Sequence, residues 1–216
     1  MNAIVENLDL FRSGFLTTLG ISLLGGLLAF VLGGILATFR VSPFRPLSGL
    51  SVLYVETVRN TPLTVVWFFM VFGLPLVGLG IGSFFIAGAL ALGVYTAPFV
   101  AEVIRSGINS VSLGQAEAAR SIGLTFSQSL RLVVLPQALR TVVPPLGNLW
   151  IALVKNSSIG AAFAVTEITA VATRLSNGFP ASVIQIFVGA AVAYLLITLT
   201  SSAGIAYLEK KAVILR

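Results

Sequence analysis

Residues 13–39 read SGFLTTLGISLLGGLLAFVLGGILATF, 27 consecutive positions between Arg12 and Arg40 without one charged side chain. A helix needs roughly 20 apolar residues to cross the ~30 Å hydrocarbon core of a bilayer. A helix also satisfies its own backbone polar groups where no water can do so. The competing reading is a signal peptide, which wants a basic start and an apolar stretch of about 7 to 15 residues. Here Glu6, Asp9 and Arg12 precede a far longer run, so the stretch reads as a retained first membrane span.

The rest of the chain follows the same pattern. Residues 60–101 form a second uncharged run of 42 positions, interrupted by Gly73, Pro75, Gly78, Gly80 and Gly82. These breakers divide it into helix 2 near residues 62–77 and helix 3 near residues 83–104, joined by a tight outer turn. A fourth span covers residues 141–154, beginning before Arg140 and ending at Lys155. After it come an apolar patch at 159–165, a helical segment at 167–175 and a breaker at Asn177, Gly178, Phe179 and Pro180. A fifth span covers residues 181–208, stopped by Lys210 and Lys211. The expected fold is therefore all-α, a five-span polytopic membrane protein. Residues 1–216 are read as one transmembrane domain.

Composition agrees. Only 9% of the 216 residues are charged and 57% are apolar, with a mean hydropathy of +1.03, whereas a soluble domain carries about 25% charged residues. Basic side chains collect on the cytoplasmic side of membrane proteins. An outside N-terminus and a cytoplasmic C-terminus put Arg40, Arg45, Arg59, Arg105, Arg120, Arg131, Arg140, Lys210, Lys211 and Arg216 inside. Arg12, Lys155 and Arg174 are left outside. The net charge of +6 is thus topological, and nucleic acid is not an expected partner. With no cysteine or histidine, neither a disulfide nor an ordinary zinc site can form. The seven carboxylates stand at least three positions apart, which disfavours a membrane-embedded enzyme needing clustered acids. An ATP-independent channel or carrier should show mid-span charges or paired repeats, and neither is apparent.

This topology makes residues 106–137 the largest cytoplasmic loop. Residues 115–122 suit a short helix ended by Gly123, because glycine takes the left-handed turn without steric cost. Thr125 with Gln128 three positions later forms a capping box for a second short helix over residues 126–134. Glu117, Ala118 and Ala119 then lie on a helix whose small side chains permit close approach of another protein, with the acid near the helix start complementing its dipole. An ordinary amphipathic loop helix fits the same residues.

Glu117-Ala118-Ala119, Gly123 four residues on, and the Val133-Val134-Leu135-Pro136 stretch together resemble the EAA signature of bacterial ABC importer membrane subunits. Over roughly residues 15–210 the chain is most similar to the polar amino acid permease family, histidine/glutamine type, and within it to actinobacterial glutamate importer permeases. Supporting stretches are Arg59-Asn60-Thr61-Pro62-Leu63, Ala101-Glu102-Val103-Ile104-Arg105 and Lys155-Asn156-Ser157-Ser158. The family often has glycine at the position of Asn60 and aspartate at that of Asn156.

The resemblance implies a transport subunit of the cell membrane rather than an enzyme. Its expected partners are a dimer of ABC ATPase subunits, a second membrane permease subunit (sister chain or identical), an extracytoplasmic amino-acid-binding protein and membrane lipid. No cofactor or metal is expected in this chain, ATP and Mg being held by the ATPase subunits; the sequence carries no glycine-rich P-loop. Glu117, Ala118, Ala119, Gly123, Leu135 and Pro136 are the expected ATPase-coupling residues. Glutamate is the expected solute, and glutamine or another polar amino acid, cationic or sulfur-containing, the alternative.

Substrate-pathway candidates are polar residues at helix breaks, where freed backbone groups must line a cavity or be buried: Thr61, Pro62, Lys155, Asn156, Ser157 and Ser158. Lys155 reads either as a cation that attracts a carboxylate or as an interfacial anchor that snorkels outward. Glu102 and Arg105, three apart on one helical face, read as a structural ion pair. Small residues at Ala29, Gly33 and Ala37, and at Thr198, Ser202 and Ala206, form stripes that permit close helix packing and offer a contact for the partner membrane subunit.

Overall fold

The computed structural model describes residues 2–213, and these are almost wholly helical. After a short turn of helix, α1 (Asn2–Val5), the first span is α2 (Leu8–Arg40). It is followed by α3 (Arg45–Arg59), then α4 (Leu63–Phe68), a π-helical turn (Phe69–Gly73) and α5 (Leu74–Leu76). The third span is α6 (Phe84–Asn109). The cytoplasmic loop holds α7 (Leu113–Ser121) and α8 (Phe126–Ser129), the latter passing through a second π-helical turn (Leu130–Val134) into α9 (Leu135–Asn156). A 3-10 segment (Ser157–Phe163), α10 (Ile168–Gly178) and the last span, α11 (Val183–Val213), complete the chain.

Three of these helices are long and apolar enough to span alone, α2, α6 and α11. The other two spans are bent pairs, α3 with residues 63–76 at 103°, and the run 126–163 with α10 at 48°. The five-span architecture therefore holds in a modified form. α3 is a helix that the sequence reading left unassigned. Its face alternates Ser51 and Val55, both buried, with exposed Leu50 and Leu53. Ser51 Oγ donates to the Leu36 carbonyl (2.8 Å) and Tyr54 Oη to that of Val94 (2.9 Å), clamping it across α2 and α6. Residues 63–76 rise only about 21 Å at 1.5 Å per residue, short of a full crossing, and α3, turned 103° from them, runs across their axis.

The centre of the molecule is the α2–α6 interface, where glycine and alanine bring backbones together. A Cβ on Gly33 would lie 2.6 Å from Val100 and 2.8 Å from the Ala97 carbonyl oxygen, and Gly25 meets the Ala89 carbonyl and Leu92 at 3.0 Å. The stripe Ala29, Gly33 and Ala37 is thus consumed inside the chain, correcting the expectation that it faces a partner subunit. In the second stripe Ser202 and Ala206 stay exposed, while the Thr198 hydroxyl donates to the Tyr194 carbonyl at 2.9 Å. Trp67, fully buried, stacks on Phe163 with ring centroids 5.3 Å apart and packs on Gly88, tying the second span to the third and to the 3-10 segment.

The fourth span begins earlier than expected. Pro136 removes one backbone donor, yet the helix is not ended there, because the π-helical turn just before it absorbs the proline. Residues 126–134 are consequently the cytoplasmic end of the fourth span rather than a separate short helix. The segment expected at 167–175 is α10, with Glu167 outside its first turn as the cap. Glu167 is fully buried. Its carboxylate accepts from the backbone N–H of Thr169 (2.9 Å) and Ala170 (2.8 Å) and from Tyr194 Oη (2.5 Å), so the chain does hold a buried acid that the sequence reading passed over.

Candidate functional site

Ser112 begins α7 with extended backbone, and its carbonyl accepts from Gln115 N–H at 3.0 Å. The helix therefore starts two residues before the expected position and ends one residue sooner. Glu117 is its fifth residue, beyond the first turn, so the expected dipole contribution does not apply; its side chain is instead presented to solvent, with Ala118 beside it. Ala119 points the other way, 5% exposed, on the side of α7 that packs against the Leu130–Val134 turn. The three-residue signature thus splits into an outward pair and an inward anchor.

The C-terminus of α7 is locked by a Schellman arrangement. Leu124 N–H bonds the Ala119 carbonyl (3.2 Å) and Gly123 N–H that of Arg120 (3.0 Å), with Gly123 at φ +90°. No atom lies within 4 Å of the Cβ that a substitution at Gly123 would add. Conformation, not space, is the constraint there. Gly123→Ala is expected to cost about 1–2 kcal/mol of local stability from the left-handed backbone alone, and hydrogen exchange of the amides at 122–124 should accelerate roughly tenfold. The next helix opens with the expected capping box: Gln128 N–H donates to Thr125 Oγ1 (3.3 Å) and Thr125 N–H to Gln128 Oε1 (2.9 Å).

Around Glu117 the loop exposes large apolar side chains that the sequence reading did not single out: Leu113 and Ile122, each 80% exposed, and Phe126 at 75%. An exposed acid thus stands with exposed apolar side chains on and beside a helix fixed at its C-terminal end, a patch of the kind that meets other proteins. Leu135 and Pro136 lie farther along, exposed at the start of α9.

Where α2, α3 and α6 meet, Glu102 is the hub of a charge cluster. Arg105 binds it through Nη2 (2.8 Å) and Nε (3.2 Å), and Arg40 Nη2 lies 3.6 Å from Glu102 and 3.9 Å from Glu56. The expected pair is present, and Arg40 and Glu56 extend it to three helices, a contact visible only once α3 is placed. Arg59 adds its guanidinium over the Phe99 ring at 5.8 Å. Glu102→Gln should lower the unfolding free energy in detergent by about 1 kcal/mol, since the cluster is partly solvated, read as a shift in thermal midpoint.

The pathway candidates divide. Thr61 and Pro62 form the 103° corner between α3 and α4, and the Thr61 hydroxyl is held by the Thr57 carbonyl at 2.8 Å. Ser157 is fully buried and donates to Val154 (2.7 Å), so its part is structural. Ser158 donates to the Lys155 carbonyl at 2.8 Å. Lys155 is exposed, and Asn156 lines a cavity of about 180 Å³ between α6 and α9 with Tyr95, Thr96, Phe99 and Leu153.

Residues 14–214 match the family described as the binding-protein-dependent transport system inner membrane component. The chain belongs to this family. This inner membrane component is 42% identical, over 98% of its own length and 97% of the relative's, to the probable glutamine ABC transporter permease protein GlnM of Bacillus subtilis. It is 38% identical, over 91% of each chain, to the glutamate transport system permease protein GluC of Corynebacterium glutamicum. Its fold superposes with a TM-score of 0.88 on a crystal structure of an amino acid ABC transporter with histidines, at 32% identity over 96% of both chains. As such a component it is a multi-pass membrane protein that assembles with other transporter subunits.

Proposed function

We propose that this permease is the membrane subunit of an ATP-driven importer that carries glutamate into the cytoplasm. One subunit of an ATPase dimer docks on the outward pair of α7 and the other on the second membrane subunit, which completes the pathway, and an extracytoplasmic binding protein delivers the solute. ATP and Mg belong to the ATPase subunits. The observation that carries this reading is the docking helix itself. α7 is fixed at its C-terminal end, presents Glu117 among exposed apolar groups, and is joined through Gly123 to a helical run from Phe126 to Asn156. Closure of an ATPase dimer against α7 would be transmitted along that run and change which side the pathway faces, a hinge-type transition biased by ATP.

Glutamate rests on the 38% identity to the glutamate permease GluC and on exposed Lys155; the 42% identity to glutamine-type GlnM favours glutamine as the second reading. Uptake of labelled glutamate, glutamine and arginine into ATP-loaded vesicles holding the assembled transporter and its binding protein decides between them. Glutamate accumulation that vanishes without ATP is the expected result. Accumulation of glutamine alone would move the solute, and ATP-independent flux would overturn the importer.

A further inference from the structure

α9 carries polar groups on one exposed side. Thr141, Asn148 and Lys155 are spaced seven apart, close to two helical turns, and all three are exposed. Asn148 stands at the depth of greatest cost. The uncharged run 13–39 has its middle at Gly26, and the Trp150 ring lies on Gly26, 2.5 Å from where a Cβ would be. Asn148 is two residues from Trp150 and therefore within about one helical turn of the bilayer centre. Its amide has no hydrogen-bond partner among the described residues, although at this depth lipid can supply none.

The backbone of the same span is irregular. Pro144 and Pro145 stand inside it and supply no backbone donors of their own. Polar side chains inside a membrane are tolerated where they are covered by protein or line water. Faces of the other spans at this depth are different. Leu27 beside Gly26 is 64% exposed, and Leu199, two residues from the Ser201 that binds Trp150 Nε1, is 63% exposed.

We propose that this side of α9 is the wall of the solute pathway, with Asn148 the group that contacts a polar α-amino acid at the centre of the bilayer. A carboxamide both donates and accepts, so it matches the ammonium, carboxylate and side-chain carbonyl of such a solute. It carries no charge that would hold the solute too tightly to release. Lys155, about 10 Å toward the outer side, is placed to draw a carboxylate inward. Toward the cytoplasm the Thr141 hydroxyl already donates to the Gln137 carbonyl at 3.0 Å, leaving the wall less polar on the exit side. This inference rests on the amino acid importer reading.

The chain has no cysteine, so single Asn148→Cys, Lys155→Cys, Leu27→Cys and Leu199→Cys variants each carry one thiol in this subunit. In membrane vesicles holding the assembled transporter, a water-soluble methanethiosulfonate reagent should modify Asn148→Cys and Lys155→Cys at least tenfold faster than the two depth-matched leucine positions. Millimolar glutamate or glutamine, with the binding protein present, should slow modification at position 148. Modification no faster than at Leu27 and Leu199 would mean that lipid or the partner subunit covers this side, and would overturn the proposal. Fast modification unaffected by either amino acid would overturn the contact at Asn148. Asn148→Leu, scored for retained assembly with the ATPase, should lose at least tenfold in uptake, and full uptake would equally overturn it. Wild-type vesicles that import no amino acid would instead fail the importer reading, whatever the labelling shows.

Discussion

Glu117→Lys is expected to abolish uptake while leaving the protein in the membrane at wild-type level. Glu117 touches nothing that holds the fold. Its side chain is exposed on α7, whose buried anchor is Ala119 and whose end is fixed by backbone hydrogen bonds at Gly123. If α7 is the docking element proposed above, reversing its charge among the exposed apolar groups should cost about 4 kcal/mol in the contact, roughly a thousandfold in affinity. The ATPase should then fail to co-purify in mild detergent, and substrate-stimulated ATP hydrolysis should fall with it. Wild-type uptake and co-purification would remove α7 from the coupling role.

Gly33→Leu should have the opposite signature, loss of the protein itself. The α2–α6 interface leaves no room, since even a Cβ at Gly33 would be 2.6 Å from Val100 and 2.8 Å from the Ala97 carbonyl oxygen, and that oxygen belongs to a helix that cannot step aside locally. Overpacking a tight core costs about 1–3 kcal/mol for extra methylenes that can be accommodated. Separating two spans along their length should exceed that. The expected outcome is little or no folded protein in membranes, or a thermal midpoint in detergent lower by more than 10 °C, on the scale of several degrees per kcal/mol. Gly34→Leu is the control. Its position faces open space, and the substitution should be tolerated.

What was legible in the sequence was whatever hydrophobicity alone decides. The run 13–39, the breakers at Gly73 to Gly82, and the terminal span follow from the absence of charge over a length fixed by the bilayer. The left-handed Gly123 and the Thr125–Gln128 capping box were also readable, because both are local and need only their own few residues. α3 was not. It is amphipathic and carries Arg45, Glu56 and Arg59, so its composition resembles a loop until α2 and α6 supply Leu36, Val94 and Ala97 as partners. Leu135-Pro136 read as the end of a helix because proline removes a donor; only the ladder of hydrogen bonds reveals a wider turn in front of it. Glu167 was not singled out because its donors, Tyr194 and the start of α10, lie elsewhere in the chain or depend on its backbone geometry.

From Phe126 to Asn156 the helical run contains 31 residues and measures about 46 Å. A rod of that length would act as a lever. Tilting it by about 10° around its cytoplasmic end swings the far tip through about 8 Å, more than the width of an amino acid backbone. A stroke delivered at α7 by the proposed ATPase could therefore be short, and the wider turn at 130–134 and the tandem prolines at 144 and 145 are the places where it would be lost as flexing. Under the coupling proposed for α7, stiffness in this one element would set how much of a displacement at one end reaches the other.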